Sequence, residues 1–271
     1  MNWGASRTRP QVTARYVSSL SRHPFAVKTD FVIYFQTLES LEQLAAGLGC
    51  TPDVLRLITA AETRPGLYVE HQIPKRSPRR KSKFRTVWSV REASVMDVLK
   101  SFARRFDGFL RDVLPGFPHH AVHGYVRKSS TLTNASVHCG APQLLKADIE
   151  NFFGTITEER LRSEFLSLGI GPAVVHLLVA LSTINGSLAL GLPASPLIAN
   201  LCCHELDKRL SSLADAHECK YTRYADDLAF SGPGDLPTKI EIASELSAKG
   251  SRSRDRNFDE PRSGKLTSSR G

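Results

Sequence analysis

Five cysteines in 271 residues, none spaced as CxxC, leave this chain without the pattern of a zinc site or a redox dithiol. They build no disulfide framework, which fits a reducing, cytoplasmic setting. Cys202 and Cys203 adjoin inside an apolar helical pattern and read as small buried residues. No apolar run approaches the ~20 residues that cross a bilayer, so a membrane is not an expected partner. The first 30 residues hold no continuous apolar core, which predicts no signal peptide. No internal repeat is visible. Acid is also in short supply: 27 Asp and Glu face 36 Lys and Arg, a net charge of +9. Such an excess favours a polyanionic partner, because neutralising phosphates releases their condensed counterions. A basic but inert surface is the alternative on charge alone.

Against that background two adjacent acids stand out. Asp226 and Asp227 sit in KYTRYADDLAFS (residues 220–231), between two short runs rich in aromatic, β-branched and apolar residues. The pattern predicts strand, tight turn, strand. Side chains alternate across a strand, so neighbouring acids serve one ion together only at a bend. A third acid, Asp148, ends the apolar run LLKADI (residues 144–149), a predicted buried strand. If that strand lies beside the hairpin, three carboxylates meet. Their repulsion is relieved by a hard divalent ion, and Mg²⁺ leaves room for substrate phosphates. Two such ions stabilise the attacking and leaving oxygens of an in-line displacement. The other reading is a solvated turn, where Asp is common.

Helical spacing predicts a small helical head. Leu41, Leu44, Ala45 and Leu48 share a face, Ser40 and Gln43 have capping-box spacing, and Thr51-Pro52 opens a second helix. Residues 67–91 read as a hairpin with a basic tip, seven of the eleven residues from Lys75 to Arg85 being Lys or Arg. A long helix over residues 92–114 follows. Thr157 and Pro172 open two further helices, and a Gly/Pro-rich loop over residues 191–196 leads into another at Ser195-Pro196. His119, His120 and His123 cluster, but no Cys or acid completes a metal set locally. From Gly250 the composition turns polar, and residues 250–271 are predicted to be disordered.

Taken in order, YADD, the DIxxFF element (Asp148 to Phe153), GLPASPLIAN (Gly191 to Asn200) and Tyr68…Ile73-Pro74-Lys75 with Lys83-Phe84-Arg85 resemble the core motifs of bacterial reverse transcriptases. Asn134-Ala135-Ser136-Val137-His138 is similar to the NAxxH signature of the retron branch, and His123-Gly124-Tyr125 resembles that branch too. The resemblance spans roughly residues 40–249. It implies an α+β right-hand polymerase with an antiparallel palm sheet packed on helices. Residues 1–66 would be an N-terminal helical region, 67–143 the fingers and 144–249 the palm, with 250–271 a disordered tail. The implied activity is RNA-directed DNA synthesis, adding dNTPs to a 3′-hydroxyl on an RNA template in anti-phage defence. Asp148, Asp226 and Asp227 would hold two Mg²⁺ ions, or Mn²⁺ in their place, with Ile149 adding a backbone carbonyl.

The same resemblance makes Phe153 a gate against the ribonucleotide 2′-hydroxyl; an ordinary core Phe is the competing reading. Lys83 and Arg85 would clamp the triphosphate, against the simpler view of a solvated charge run. Gly191 would lie near the new base pair. Asn134, His138, Lys75, Arg76, Arg79 and Arg80 would contact RNA, although a structural role suits His138 equally well. Implied partners are an RNA template, its RNA–DNA hybrid and an effector protein. Leu190 and Ala194 depart from the pattern, standing where Gln and a small hydroxyl residue are usual. The primer-grip and thumb motifs expected after residue 249 are not recognisable, which suggests a truncated or frameshifted end with the thumb missing. A catalytically inactive RNA-binding remnant, or a group II intron-like reverse transcriptase, are the alternatives. NAxxH argues against the last.

Overall fold

The computed structural model describes residues 33–74, 84–247 and 267–268. Lys75, Arg76, Arg79, Arg80 and Lys83 lie outside the described residues, as do residues 1–32 and most of the polar tail.

The chain mixes helices with antiparallel sheets. α1 (Leu41–Leu48) and α2 (Pro52–Thr59) form the predicted helical head. Ser40 caps α1 by accepting the Gln43 N–H, and Thr51 caps α2 by accepting the Val54 N–H. The reciprocal half of the α1 capping box reaches one residue further than predicted, with Gln43 Oε1 accepting the Glu39 N–H at 2.7 Å. β1 (Tyr68–Pro74) and β2 (Phe84–Val90) pair antiparallel from Tyr68↔Val90 to Pro74↔Phe84. α3 (Ala93–Val113) then carries Phe102, Phe106 and Phe109 on one face. These rings pack edge-on around Phe35, with centroids 5.3–6.3 Å apart, and Phe165 joins through Phe106 at 5.4 Å. All five rings are wholly buried.

α4 (Thr131–His138) precedes β3 (Gln143–Asp148). α5 (Glu158–Ser167) is capped by Thr157 as predicted, and α6 (Pro172–Ser182) runs into the short hairpin of β4 (Thr183–Ile184) and β5 (Ser187–Leu188). Asn185 and Gly186 form its two-residue loop, both at positive φ, the conformation that Asn-Gly favours. α7 (Ser195–Ala216), β6 (Lys220–Tyr224), β7 (Asp227–Gly232) and α8 (Lys239–Ser247) follow. The main sheet has the order β6–β7–β3–β8, where β8 is the pair Thr267–Ser268 beside Leu145 and Lys146.

A buried ion pair ties this sheet to α7. Arg223 on β6 donates through Nε and an Nη nitrogen to the two oxygens of Asp207 on α7, both at 2.7 Å, and the side chains are 0% and 1% exposed. The Tyr221 hydroxyl donates to the same carboxylate at 2.9 Å. The remaining Nη of Arg223 donates to the Ala225 carbonyl at 3.0 Å, in the turn that follows its own strand. Burial works against the guanidinium charge, yet Asp207 holds its pKa above the ordinary value. Removing one partner strands the other charge. Asp207→Ala is expected to lower folding stability by about 3–5 kcal/mol in urea denaturation, whereas Asp207→Leu combined with Arg223→Met loses much less.

Candidate active site

The β3–β7 register decides where the acids meet. Asp148 stands directly opposite Asp227, and Tyr224 pairs with Asp227 across the turn, so Ala225 and Asp226 alone form the hairpin loop. Directly opposed residues project to one face with Cβ atoms about 4.5–5.5 Å apart. Ala225 adopts φ 57°, and the Ile149 N–H donates to the Asp226 carbonyl at 3.0 Å. The end of β3 is thereby pinned to the turn. Asp148 and Asp227 are exposed, while Asp226 and Ile149 are half-buried.

The turn is braced from its other side by residues 121–125. Val122 bridges in parallel to Arg223, and the Arg223 carbonyl accepts the His123 N–H at 2.8 Å. Gly124 lies so close to the turn that a Cβ there would overlap the backbone nitrogen of Ala225. Buried Asn200 on α7 donates to the Gly124 carbonyl at 3.1 Å. Neither Asn200 nor the Arg223–Asp207 pair was assigned a role from sequence; only packing shows that each supports the turn. Tyr125 comes next, with φ 61°, and its ring stands edge-on to Phe153 at 6.4 Å between centroids. Phe153 is half-buried in the 3₁₀ turn Phe152–Thr155. Burial and then the charge of Asp226 push the Tyr125 phenol above its ordinary pKa, and the Arg85 charge acts the other way. Arg85 is exposed on β2 opposite Ile73, and its charge is felt at the Tyr125 phenol.

Gly191, at φ 111°, joins the same region. A Cβ there would overlap the Trp88 carbonyl, and the Trp88 N–H donates to the Leu190 carbonyl at 2.7 Å. The Gly/Pro loop is thus pressed against β2, so substitutions at residue 191 are blocked by backbone on both counts, conformation and space.

Asn134 and His138 share a face of α4 at i,i+4 spacing. The His138 ring is fully engaged: Nδ1 with the Ser231 hydroxyl and Nε2 with the Thr222 hydroxyl, both at 2.7 Å. It links α4 to β6 and β7. Burial, with smaller effects from Lys220, His123 and Lys146, holds its pKa below 6.5. Burial does the same to His123 and, with His120 beside it, to His119. For such groups the unfolded chain takes up the proton first. Their contribution is full above pH 6.5 and is lost as pH falls below that value. Urea midpoints should therefore drop between about pH 7.5 and about pH 5, and His138→Gln should flatten part of that slope.

Among the described residues no three His, Cys, Asp or Glu side chains converge into a ready-made metal cage. The donors at the acid turn nevertheless suit magnesium. They are hard carboxylate oxygens at the ends of two strands, exposed at Asp148 and Asp227, and Mg²⁺ takes one or two carboxylates while water and phosphate oxygens complete its shell. They do not suit a closed Cys/His structural site.

Residues 73–252, more than half of the chain, match the family described as "Reverse transcriptase (RNA-dependent DNA polymerase)". The chain is 33% identical over 226 residues to the Retron Mx65 reverse transcriptase of Myxococcus xanthus, covering 77% of this chain and 50% of that protein. It is 36% identical over 213 residues to the Retron Mx162 reverse transcriptase of the same organism, covering 72% and 42%. Over 108 residues it is 38% identical to the Retron Ec86 reverse transcriptase of Escherichia coli, covering 40% and 34%. The chain thus spans half or less of the length of these relatives. The match takes in β3, the acid turn, the Gly191 loop and the aromatic pair beside them, and with this geometry the chain belongs to the reverse transcriptase (RNA-dependent DNA polymerase) family.

Proposed function

We propose that this chain is the nucleotidyl-transfer core of a retron-type RNA-directed DNA polymerase, with residues 67–143 as its fingers and 144–249 as its palm. The observation that carries this reading is the register that sets Asp148 opposite Asp227 beside the Asp226 turn. Asp148, Asp226 and Asp227 would hold two Mg²⁺ ions, with Ile149 lending a backbone carbonyl. When bound, such ions lower the barrier to attack by a 3′-hydroxyl on an α-phosphate and to departure of pyrophosphate.

The chain's own residues position the reactants. Arg85, exposed on β2, binds the incoming triphosphate, where a guanidinium offers paired donors to phosphate oxygens. Lys83 serves the same group. Phe153 closes the space beside the sugar and rejects a 2′-hydroxyl. Gly191 keeps the loop close to β2, beneath the templating base. Lys75, Arg76, Arg79 and Arg80 neutralise RNA phosphates. Asn134, the other named residue of the retron-like signature, would contact RNA, while the His138 ring is taken up by Ser231 and Thr222. The likeness to the retron branch extends the proposal to an RNA–DNA product that acts with an effector protein in anti-phage defence.

The test is extension of a primer on an RNA template by the purified chain with dNTPs and Mg²⁺. Product is expected, and Asp227→Asn should cut the rate at least about 100-fold. Absence of product from chain that is folded by circular dichroism would overturn the reading in favour of an inactive RNA-binding module. Phe153→Val is expected to raise incorporation of ribonucleotides relative to deoxynucleotides.

A further inference from the structure

Tyr125 has no role in the reading above, yet the chain bears a cost to present it. It is a bulky residue at φ 61°, a conformation that L side chains other than Asn and Asp rarely adopt. Its ring is not placed there to fill the core, since the residue remains 50% exposed. The backbone before it is held on three sides. Arg223 accepts the His123 N–H, Asn200 donates to the Gly124 carbonyl, and Gly124 abuts the Ala225 turn with no room for a side chain. These contacts hold Tyr125 next to the acid turn, with its ring edge-on to Phe153. Phe153 also meets Phe152, with centroids 5.4 Å apart and planes 79° apart. Phe153 is therefore a half-buried ring contacted by two steeply inclined rings, buried Phe152 and half-exposed Tyr125.

We infer that Tyr125 is a positioning residue for sugar selection: its ring holds Phe153 in the orientation that excludes a 2′-hydroxyl. The inference rests on the proposed reading of Phe153 as the sugar gate. A ring gate discriminates only if it cannot swing aside. The edge-to-face contact from Tyr125 adds a second ring contact to the one from Phe152 and so restrains Phe153 further. Because the contact uses the ring and not the hydroxyl, Phe is expected to replace Tyr at this position.

The experiment measures the ratio of kcat/KM for a dNTP to that for the matching rNTP in primer extension. The proteins are the full chain and its Tyr125→Phe, Tyr125→Ala, Tyr125→Gly and Phe153→Val variants, with each Tyr125 change also made in the Phe153→Val background. Tyr125→Phe should keep the ratio within about twofold, and Tyr125→Ala should lower it about tenfold, the scale an edge-to-face aromatic pair supports. Tyr125→Gly guards against misfolding, since glycine adopts φ 61° without strain; it should show the same loss. In the Phe153→Val background none of the three Tyr125 changes should lower the ratio further. An unchanged ratio in both Tyr125→Ala and Tyr125→Gly overturns the inference. An equal loss in both backgrounds also overturns it, because Tyr125 then acts on the nucleotide directly. If Phe153→Val leaves the ratio intact, or the wild-type chain incorporates nothing, the gate reading itself fails and the inference falls with it.

Discussion

The buried pair of Arg223 and Asp207 is the constraint on which the rest of the site depends. One guanidinium satisfies α7 through both carboxylate oxygens and satisfies the acid turn through the Ala225 carbonyl. The backbone of the same residue receives the 121–125 segment, its carbonyl accepting His123 and its N–H donating to Ala121. A single position on β6 therefore fixes the helix behind the sheet, the turn at its end and the strand-like segment beside it. A buried pair of this kind adds little net stability compared with apolar residues of the same shape. Its effect is directional: two charges in a dry interior tolerate one mutual geometry, and the turn inherits it.

That geometry makes room for an unfavourable feature. Like charges opposed across two strands disfavour the pairing, and here Asp148 faces Asp227. The sheet retains the register because the apolar residues behind the acids bury in only one alignment. Leu145 and Phe230 are paired partners, and both lie in the core. A slip by one residue would turn the core side chains outward. Hydrophobic burial thus holds the acids together, and exposure of Asp148 and Asp227 at the ends of β3 and β7 lets water moderate their repulsion.

A second small hairpin shows the same logic at a distance. The Asn185-Gly186 loop lets β5 lie against the entry to α5, where the Leu188 N–H donates to the Ile156 carbonyl and the Gly186 carbonyl accepts the Glu158 N–H. The helix start and the Phe152–Thr155 turn before it are anchored together. Phe153 takes its place from this anchoring, since Phe152 beside it is buried and the Thr155 N–H closes back on Asn151.

Much of this was legible without coordinates. Capping residues Ser40, Thr51 and Thr157, the period of α3 and the two β-rich runs around YADD are local signals, set by backbone hydrogen bonding and side-chain spacing within a few residues. The acids and aromatics of the candidate site could be singled out too, because residues of those types are rare in that order. Other features were not, since they are relations between distant segments. That Arg223 would be wholly buried against Asp207, that Gly124 would abut Ala225, and that both nitrogens of His138 would be consumed by Ser231 and Thr222 follow from how α4, α7 and the sheet pack. The sequence by itself determined the elements and the inventory of reactive groups, because those depend on short-range propensity and residue identity. Only the tertiary structure decided which groups face one another, because register and helix docking are chosen by burial of the whole apolar set at once.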